Sequence, residues 1–334
     1  MKSKTFIGID ISKKVIDLCL LDSEENTFIH CKNEIKAITK NLKQLFKKKS
    51  LNMEEVVICA EYTGMYIYPL IKVCQSLGVN LWLESGATIK WSSGLQRGKN
   101  DKVDSERIAV YASRFIDKAT FYTYHDEQLD ELAYLNSERE LLKGDRAKYK
   151  SQIKDQKGYM PSSVYKSKKA RLSSQVRHLS KSIDEIEAKM SELIKENEQL
   201  QGQYEIITSI GGIGRQIAMQ TIIATRGFTK FTDARKFCCH VGVAPFAYTS
   251  GSSQTSRWKV SQRANKKLKS LFHLAAISTI RMNGEFTQYY ERKVGEGKNK
   301  MSVINAMRSK LIHRIFALVR DGRMYEEKYL NSLV

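Results

Sequence analysis

Four acidic residues stand where the sequence predicts that strands end and a helix begins. Asp10 and Glu61 each close a short apolar run, and Asp101 and Asp104 open a helical pattern. Carboxylates gathered at one edge of a sheet repel one another and raise one another's pKa unless a cation neutralises them. Hard oxygen ligands without Cys or His partners suit Mg²⁺ or Mn²⁺. Because paired divalent ions held in this way cut phosphodiesters, the four residues are candidate metal ligands and candidate catalytic residues.

Each of these residues also has a plainer interpretation when it is taken alone. Asp101 and Asp104 suit the N-terminus of any helix, where carboxylates cap backbone N–H groups. Asp10 or Glu61 alone is typical of a solvated strand end. Taken together and in this order, the four favour the metal site.

Residues 4–116 alternate between the periodicities of strands and helices, in the order three strands, helix, strand, helix, strand, helix. The short turn after Asp10 predicts an antiparallel hairpin, followed by parallel strands joined by helices. This is the order of a ribonuclease-H-type fold, in which the first and fourth strands are neighbours and would bring Asp10 near Glu61. The predicted strands are 5–10, 15–21, 27–31, 56–60 and 79–83, and the predicted helices are 34–48, 65–77 and 101–116.

Residues 126–201 are rich in Glu, Lys, Gln, Leu and Ser, with one break at Gly158–Ser163. After the break, apolar residues repeat in the 4-then-3 spacing of a coiled coil, with Asn197 in one core position. The pattern predicts a helical hairpin that pairs within the chain or between chains, and we expect the seam to join protomers of a dimer or tetramer. The seam consists of Leu172, Val176, Leu179, Ile183, Ile186, Met190, Leu193 and Leu200.

The chain is strongly basic, with 56 Lys and Arg, 36 Asp and Glu, a formal charge of +20 and a pI near 9.6. Such an excess attracts phosphate backbones, although a merely basic soluble protein can share it. More than half of the excess lies in residues 257–334, which hold 17 Lys and Arg against 6 Asp and Glu. The candidate nucleic-acid-binding residues there are Arg257, Trp258, Lys259, Arg263, Lys266, Lys267 and Lys269.

Two further candidates, Gly212 and Gly214, form a Gly-Ile-Gly turn before a helical pattern. Backbone N–H groups at such a helix start can hold a phosphate, but an ordinary helix–helix turn has the same sequence. Trp258 could stack on a base or wedge between bases, or simply pack.

Other features of the sequence bear on the cellular location and on the classes of enzyme to consider. No apolar run approaches the length of a membrane span, and residues 1–9 read directly into a strand, so we expect no signal peptide. The six Cys show no CxxC spacing and lie mostly in apolar runs, which predicts reduced thiols in a cytoplasmic protein. No GxxxxGK[ST] motif is present, so an NTP-driven motor is not indicated.

In combination, these motifs resemble those of the DEDD transposases of bacterial insertion sequences, in the family numbered one-hundred-and-ten, to which the pilin-gene invertases also belong. The resemblance implies an α/β ribonuclease-H-like (RuvC-like) domain at 1–122, an α-helical coiled-coil arm at 123–201 and a mainly α C-terminal transposase domain at 202–334. The matching segments, in the family's order, are Gly8–Ser12, Glu61–Gly64, Lys99–Asp104, Ile210–Gly214, Val241–Pro245, Ser250–Gly251 and Asn265–Leu268.

The resemblance also implies a mechanism and partners. The acidic quartet would hold the metal, and Ser250, before Gly251, would be the nucleophile of a recombinase that forms a phosphoserine bond. The partners would be donor and target DNA and a structured guide RNA encoded by the element, in a bacterial protein associated with the nucleoid when active. One departure is Ala264, which stands where the family has a glycine before Asn265. Thr249, Ser252 and Ser253 crowd Ser250, so its assignment depends on Gly251.

Two other functions remain open at this point. One is a RuvC-like, metal-dependent nuclease that resolves branched DNA by water attack, and such an enzyme would survive Ser250→Ala. The other is a non-enzymatic nucleic-acid scaffold with structural carboxylates, which would also survive Asp10→Asn.

Overall fold

The computed structural model describes residues 4–92, 101–122, 127–250, 253–260 and 264–326. Within the described segments, the side chains of 101, 247–250 and 253–259 are not described. The chain divides into two compact units, Met1–His125 and Asp126–Val334.

The first unit is a five-stranded sheet with helices on both faces. The strand order is β3-β2-β1-β4-β5, with β1 antiparallel to β2 and parallel to β4. This is the ribonuclease-H-like arrangement that the sequence predicts, although α3 was not predicted. The elements are β1 (Thr5–Ile11), β2 (Val15–Leu20), β3 (Thr27–Lys32), α1 (Ile35–Lys48), β4 (Val56–Glu61), α2 (Tyr68–Leu77), β5 (Asn80–Glu84), α3 (Gly86–Ser92) and α4 (Asp101–Arg114).

The two faces of the sheet differ because successive side chains of a strand point to opposite sides. On β1, Ile7, Ile9 and Ile11 are buried in a core that α1 and α2 complete. The alternate residues Gly8 and Asp10 therefore lie on the face covered by α4. This face holds the candidate site.

The second unit is mainly helical. Its core joins the base of the hairpin formed by α5 and α6 to α7, α8, α10 and α12. The elements are α5 (Glu127–Asp155), α6 (Ser162–Lys195), α7 (Glu198–Ser209), α8 (Arg215–Thr225), α9 (Ala234–Val241), β6 (Pro245–Ser250), β7 (Ser253–Val260), α10 (Lys266–Ile280), α11 (Glu285–Gly295) and α12 (Lys300–Asp321).

The predicted coiled-coil seam of α6 is occupied within one chain. Ile186, Met190 and Leu193 are buried in the same core as Leu129 and Leu132 of α5. The two helices are also joined along their length by side-chain bonds, Arg139 to Glu187, Arg146 to Ser180 and Tyr165 to the Ile153 carbonyl. The part of the seam from Ile186 to Leu193 is therefore covered by α5 within the chain, whereas Leu172, Val176 and Leu179 are only half-buried. Contact between protomers through that half-buried part remains a prediction. Assembly through other surfaces remains a prediction.

The heptad pattern predicted that Asn197 occupies a core position of one continuous helix, and this prediction is wrong. Helix α6 ends at Lys195, and the Asn197 side chain accepts a hydrogen bond of 3.1 Å from the backbone N–H of Leu200. Asn197 is therefore the N-cap of α7. Asn suits this place because its side-chain oxygen satisfies an N–H that has no partner within the helix.

All six cysteines are free thiols, and Cys19, Cys59, Cys74 and Cys238 are buried. Burial, together with the charge of Glu106, raises the pKa of the Cys19 thiol to about 12, so it stays protonated at neutral pH. Across the described residues, no helix is both long and apolar enough to cross a bilayer.

Candidate active site

One rung of the sheet carries an ionisable side chain on every strand. Asp10 of β1 pairs with Asp17 of β2, which pairs with His30 of β3. On the other side, β1 and β4 are paired in parallel as far as Ile9 and Ala60, and Asp10 and Glu61 are the next residues of the two strands. Glu61 in turn pairs with Glu84 of β5. Because neighbouring strands lie about 4.8 Å apart, the row is about 19 Å long. The two predicted strand-end ligands, Asp10 and Glu61, are therefore neighbours on one face.

Helix α4 packs directly on β1 because residue 8 is a glycine. A Cβ on Gly8 would overlap the backbone of Ser105 and Ala109. Any larger residue would push the helix away from the strand. Gly8 thus sets the height of α4 above the row of carboxylates.

Helix α4 covers the face of the sheet on which Gly8 and Asp10 lie. Phe6 packs against the cluster that contains Ile108, Tyr111 and Ala112 of α4, whereas Gly8 lies against Ser105 and Ala109, which indicates that the helix runs antiparallel to β1. Asp10 follows Gly8 by two strand residues, about 6.6 Å, and Asp101 precedes Ser105 by four helical residues, about 6 Å. These similar advances predict that Asp101 lies near Asp10.

Asp104 lies on the stripe of α4 that faces β4 and β5. Ile108 and Tyr111 follow it at i+4 and i+7, and both pack with Trp82. The Asp104 carboxylate accepts a hydrogen bond of 2.7 Å from Arg107 Nη1. Both side chains are about one-quarter exposed, and such pairs contribute at most about 1 kcal/mol. A metal ion can therefore displace Arg107 at small cost.

The carboxylate of Glu61 lies against the start of α3. A Cβ on Gly86, the first residue of that helix, would collide with both carboxylate oxygens of Glu61. Residue 86 must therefore lack a side chain for Glu61 to keep its place beside Asp10.

Three members of the row, Asp17, His30 and Glu84, were not predicted as site residues. Glu84 accepts hydrogen bonds from the Ser85 N–H at 2.7 Å and the Tyr111 hydroxyl at 3.1 Å. Burial and the charge of Glu84 raise the pKa of Tyr111, which keeps its hydroxyl a donor. Asp17 is 8% exposed and accepts a hydrogen bond of 2.9 Å from His30 Nδ1. The signal for Asp17 was the hairpin register, which pairs it with Asp10.

The donor set fits a hard divalent cation, because it consists of carboxylates alone. In the part of the chain whose side chains are described, no three His, Cys, Asp or Glu residues lie close enough together to hold a metal ion. The Asp101 side chain is outside that part. Asp10, Glu61 and Asp104 are all within the described part and do not form such a group by themselves. Metal binding by the quartet therefore remains a prediction.

Ser250 ends a paired strand, whereas the composition predicted a flexible segment. Strand β6 pairs antiparallel with β7, and Ser250 lies opposite Ser253, with irregular register along the ladder. The Tyr and Thr residues of this stretch favour β-strands. The many Ser, Gly and Gln residues around them led to the prediction of a flexible segment. The connecting residues Gly251 and Ser252, like the Ser250 side chain, lie outside the described set. The nucleophilic role remains a prediction.

The predicted basic surface falls on two elements. Arg257, Trp258 and Lys259 are residues of β7, and Arg263 lies outside the described residues. Lys266, Lys267 and Lys269 form the first turn of α10, where the Asn265 side chain caps the Leu268 N–H at 3.1 Å.

Lys266 and Lys267 are exposed, whereas Leu268 anchors the turn in the core. Cations at the positive end of a helix destabilise it unless an anion binds there. Lys267 lies 4.0 Å from Glu140, which offsets part of this cost, and phosphate binding by the two lysines remains a prediction.

The glycine turn has a packing explanation for one of its two residues. Gly212 has φ +83°, and a Cβ there would overlap Thr279 of α10. Only glycine suits that close approach. Gly214 is the exposed N-cap of α8, and phosphate binding there remains a prediction.

We expect Lys266→Ala/Lys267→Ala to lower the slope of log affinity against log salt for duplex DNA by about 1.8 units, because each lost phosphate contact removes about 0.9. The measurement is a salt titration of fluorescence anisotropy. The matched control is Lys40→Ala/Lys43→Ala on exposed positions of α1. Equal slopes for the two variants would show that α10 does not contact DNA.

The fold and the row of carboxylates define a class, a ribonuclease-H-like enzyme that acts on nucleic-acid strands. Family comparison is more specific. Residues 7–157 match a model of the DEDD transposases of the IS110 type, and residues 204–291 match the model described as "Transposase IS116/IS110/IS902 family". The two matches cover more than half of the chain. The chain belongs to this transposase family, whose members are enzymes that cleave and transfer DNA strands.

Individual proteins support this membership. The pilin gene-inverting protein of Moraxella bovis is 25% identical over 98% of this chain and 99% of its own length. The insertion element IS116 uncharacterized 44.8 kDa protein of Streptomyces clavuligerus is 26% identical over 40% of this chain and 33% of its own. The solved structure of T. thermophilus RuvC in complex with Holliday junction substrate covers 36% of this chain and 99% of its own, at 9% identity and a TM-score of 0.28. That structural similarity is too low to support an inference.

Proposed function

We propose that this transposase is a metal-dependent serine recombinase that cleaves and rejoins DNA through a phosphoserine intermediate. The observation that carries the proposed metal site is the strand register, which makes Asp10 and Glu61 neighbours on parallel strands, on the face where α4 packs against Gly8. Asp101 and Asp104 on the first turn of α4 would complete the ligand set for Mg²⁺ or Mn²⁺. A divalent ion bound there supplies charge neutralisation for the scissile phosphate and for a developing alkoxide.

The surrounding residues hold the carboxylates in place. Gly86 leaves room for Glu61, and Tyr111 holds Glu84 beside it by a hydrogen bond. His30 holds Asp17 on the other side of Asp10. These contacts fix the ends of the row, so Asp10 and Glu61 stay close together despite their mutual repulsion.

In the proposed reaction, Ser250 Oγ attacks the scissile phosphorus and loses its proton, and the bond from phosphorus to the leaving strand oxygen breaks. The leaving oxygen takes up a proton and becomes a free hydroxyl. A strand hydroxyl then attacks the phosphoserine, releases Ser250 and forms the recombined phosphodiester. Since a serine hydroxyl is a weak nucleophile until its proton is removed, the reaction requires a base or a bound cation that activates Ser250. Each step exchanges one phosphodiester linkage for another of similar energy, so no ATP is needed.

We also propose that a structured RNA encoded by the element pairs with donor and target DNA, and that two or four chains work together. Both proposals rest on the family resemblance. Recombination cuts two duplexes within one complex, and this requires more than one active site.

The metal site is tested by Mn²⁺ titration calorimetry without DNA. We expect wild type to bind and Gly86→Ala to bind about 10- to 100-fold more weakly, the range for a residue that orients a ligand, because the new Cβ displaces Glu61. The control is Gly144→Ala in α5, where a Cβ meets no atom within 4 Å. Thermal unfolding of each variant checks the fold. A wild type that binds no Mn²⁺, or a Gly86→Ala that binds like wild type, would contradict the proposed site.

A further inference from the structure

The far half of the α5–α6 hairpin is a second, separate concentration of positive charge. We define the distal arm as residues 143–181, which contain twelve Lys and Arg and two Asp, a formal charge of +10 in a chain of +20. Residues 257–334 hold a further +11. The rest of the chain is therefore almost neutral, and the distal arm holds about half of the excess.

The charge changes sign along the same two helices. The base of the hairpin, residues 127–142 and 182–195, contains nine Asp and Glu and three Lys and Arg. The base packs into the core of its unit, whereas the distal arm contributes no residue to that buried core. Amphipathic packing alone does not require such a division, because lysine and glutamate are equally good on a solvated helix face.

Few of the distal cations are neutralised within the chain. Across the described residues, only Lys143, Lys148 and Lys181 of the twelve lie within 4.0 Å of a carboxylate. Helices in proteins commonly offset lysines with carboxylates three or four residues away, and like charges at that spacing are destabilising. The distal arm largely lacks these stabilising ion pairs, and a bound polyanion would neutralise its cations instead.

The arm's dimensions suit a nucleic-acid duplex. From Lys166 to Lys181, α6 extends about 22 Å, which matches about six base pairs at 3.4 Å each. At the far end, between the helices, Tyr159 is 87% exposed. Gly158 turns the chain there with φ +85°. An exposed aromatic ring among cations can contact bases or sugars once the backbone is held.

We propose that the distal arm binds the phosphate backbone of double-stranded DNA. DNA is the favoured polyanion because strand transfer places a DNA duplex in every working complex of this enzyme. The contact is independent of sequence, since lysine and arginine on a regular helix read phosphates rather than base edges. Its role is to hold the duplex while the active site works elsewhere in the chain.

The test is fluorescence anisotropy of a labelled 30-base-pair duplex with the full-length protein in EDTA, from 50 to 300 mM KCl. The arm variant is Lys150→Gln/Lys154→Gln/Lys166→Gln/Lys169→Gln, and all four positions are exposed. The control is Lys36→Gln/Lys40→Gln/Lys43→Gln/Lys47→Gln on exposed positions of α1, which removes the same charge. Because EDTA removes divalent ions and binding needs no cleavage, the outcome is independent of the proposed serine and metal chemistry.

We expect the arm variant to lose about 3 to 4 units of log–log salt slope, at about 0.9 per phosphate contact, and to bind at least tenfold more weakly at 150 mM KCl. The α1 control should change less than twofold. Equal behaviour of the two variants would overturn the proposal, as would a loss confined to a stem-loop RNA probe. If the arm variant is not stably folded, the double variant Lys157→Gln/Arg177→Gln replaces it. This variant is expected to lose about half as much of the log–log salt slope, and an unchanged slope would overturn the proposal.

Discussion

Asp10→Asn is expected to reduce strand transfer at least about 100-fold while leaving duplex DNA binding intact. The substitution keeps the shape of the side chain and removes the charge beside Glu61 on which metal binding depends. Loss of a ligand should exceed the 10- to 100-fold effect of a residue that only orients one. DNA affinity should persist because the basic residues lie on other elements. The measurement is the rate of recombinant product formation with saturating DNA.

The matched control for this prediction is Asp17→Asn. Asp17 occupies the same rung, pairs with Asp10 and is held by His30, but it is outside the proposed ligand set. We expect it to cost less than about tenfold, since it acts only through the placement of Asp10. An Asp10→Asn enzyme with the wild-type rate would refute the metal site. An equal loss in both variants would show that the ligands are the central rung rather than the quartet.

Ser250→Ala is expected to abolish the covalent protein–DNA adduct and to lower recombination by about 10⁴-fold or more, the scale on which removing a covalent nucleophile acts. Without the hydroxyl, no phosphoserine can form and the cleaved strand has no attachment to the protein. The measurement uses labelled DNA, Mg²⁺ and any required RNA, followed by denaturation and detection of the label that migrates with protein.

Ser253→Ala is the control for Ser250→Ala, because Ser253 faces Ser250 across the β6–β7 ladder. It should keep both the adduct and the recombination rate near those of wild type. An adduct that persists in Ser250→Ala would assign the nucleophile to Ser252 or Ser253. Normal recombination without any adduct would assign it to water.

The first unit was predictable from sequence because its elements follow hydrophobic periodicity. The order of strands and helices was sufficient to place β1 beside β4, and hence Asp10 beside Glu61. The full row was not predicted, since Asp17 and Glu84 enter it through strand register. The role of Gly86 was not predicted for a related reason. Gly86 matters because it leaves space for the Glu61 carboxylate, and a contact between residues 25 positions apart leaves no local pattern in the sequence.

For the helical hairpin, the sequence pattern predicted which face is buried but not what covers that face. A heptad repeat states that one face of α6 is buried, but the same face can meet another protomer or the chain's own α5. Here the base of the hairpin shares a core with the second unit, and α5 takes that place. Asn197 fitted the repeat by spacing alone, whereas the helix had already ended at Lys195. A hydrophobic period does not report where a cap interrupts it.

The charge distribution along the chain can be counted from the sequence, but the fold is needed to show which charges lie on the same surface. The C-terminal excess was apparent as a run that includes the first turn of α10. The distal arm was not, because its cations are spread over two segments separated by a turn at Gly158. Antiparallel pairing of α5 and α6 brings those segments together into one surface.

The most direct test of the central claim is the stereochemistry at phosphorus during strand transfer. A substrate with a single-configuration phosphorothioate at the scissile position is recombined in Mn²⁺, and the product configuration is determined. Each in-line displacement inverts phosphorus. Attack by Ser250 followed by attack of a strand hydroxyl makes two displacements, so we predict retention of configuration. Inversion would mean a single displacement without a covalent protein intermediate, and would contradict the proposed role of Ser250.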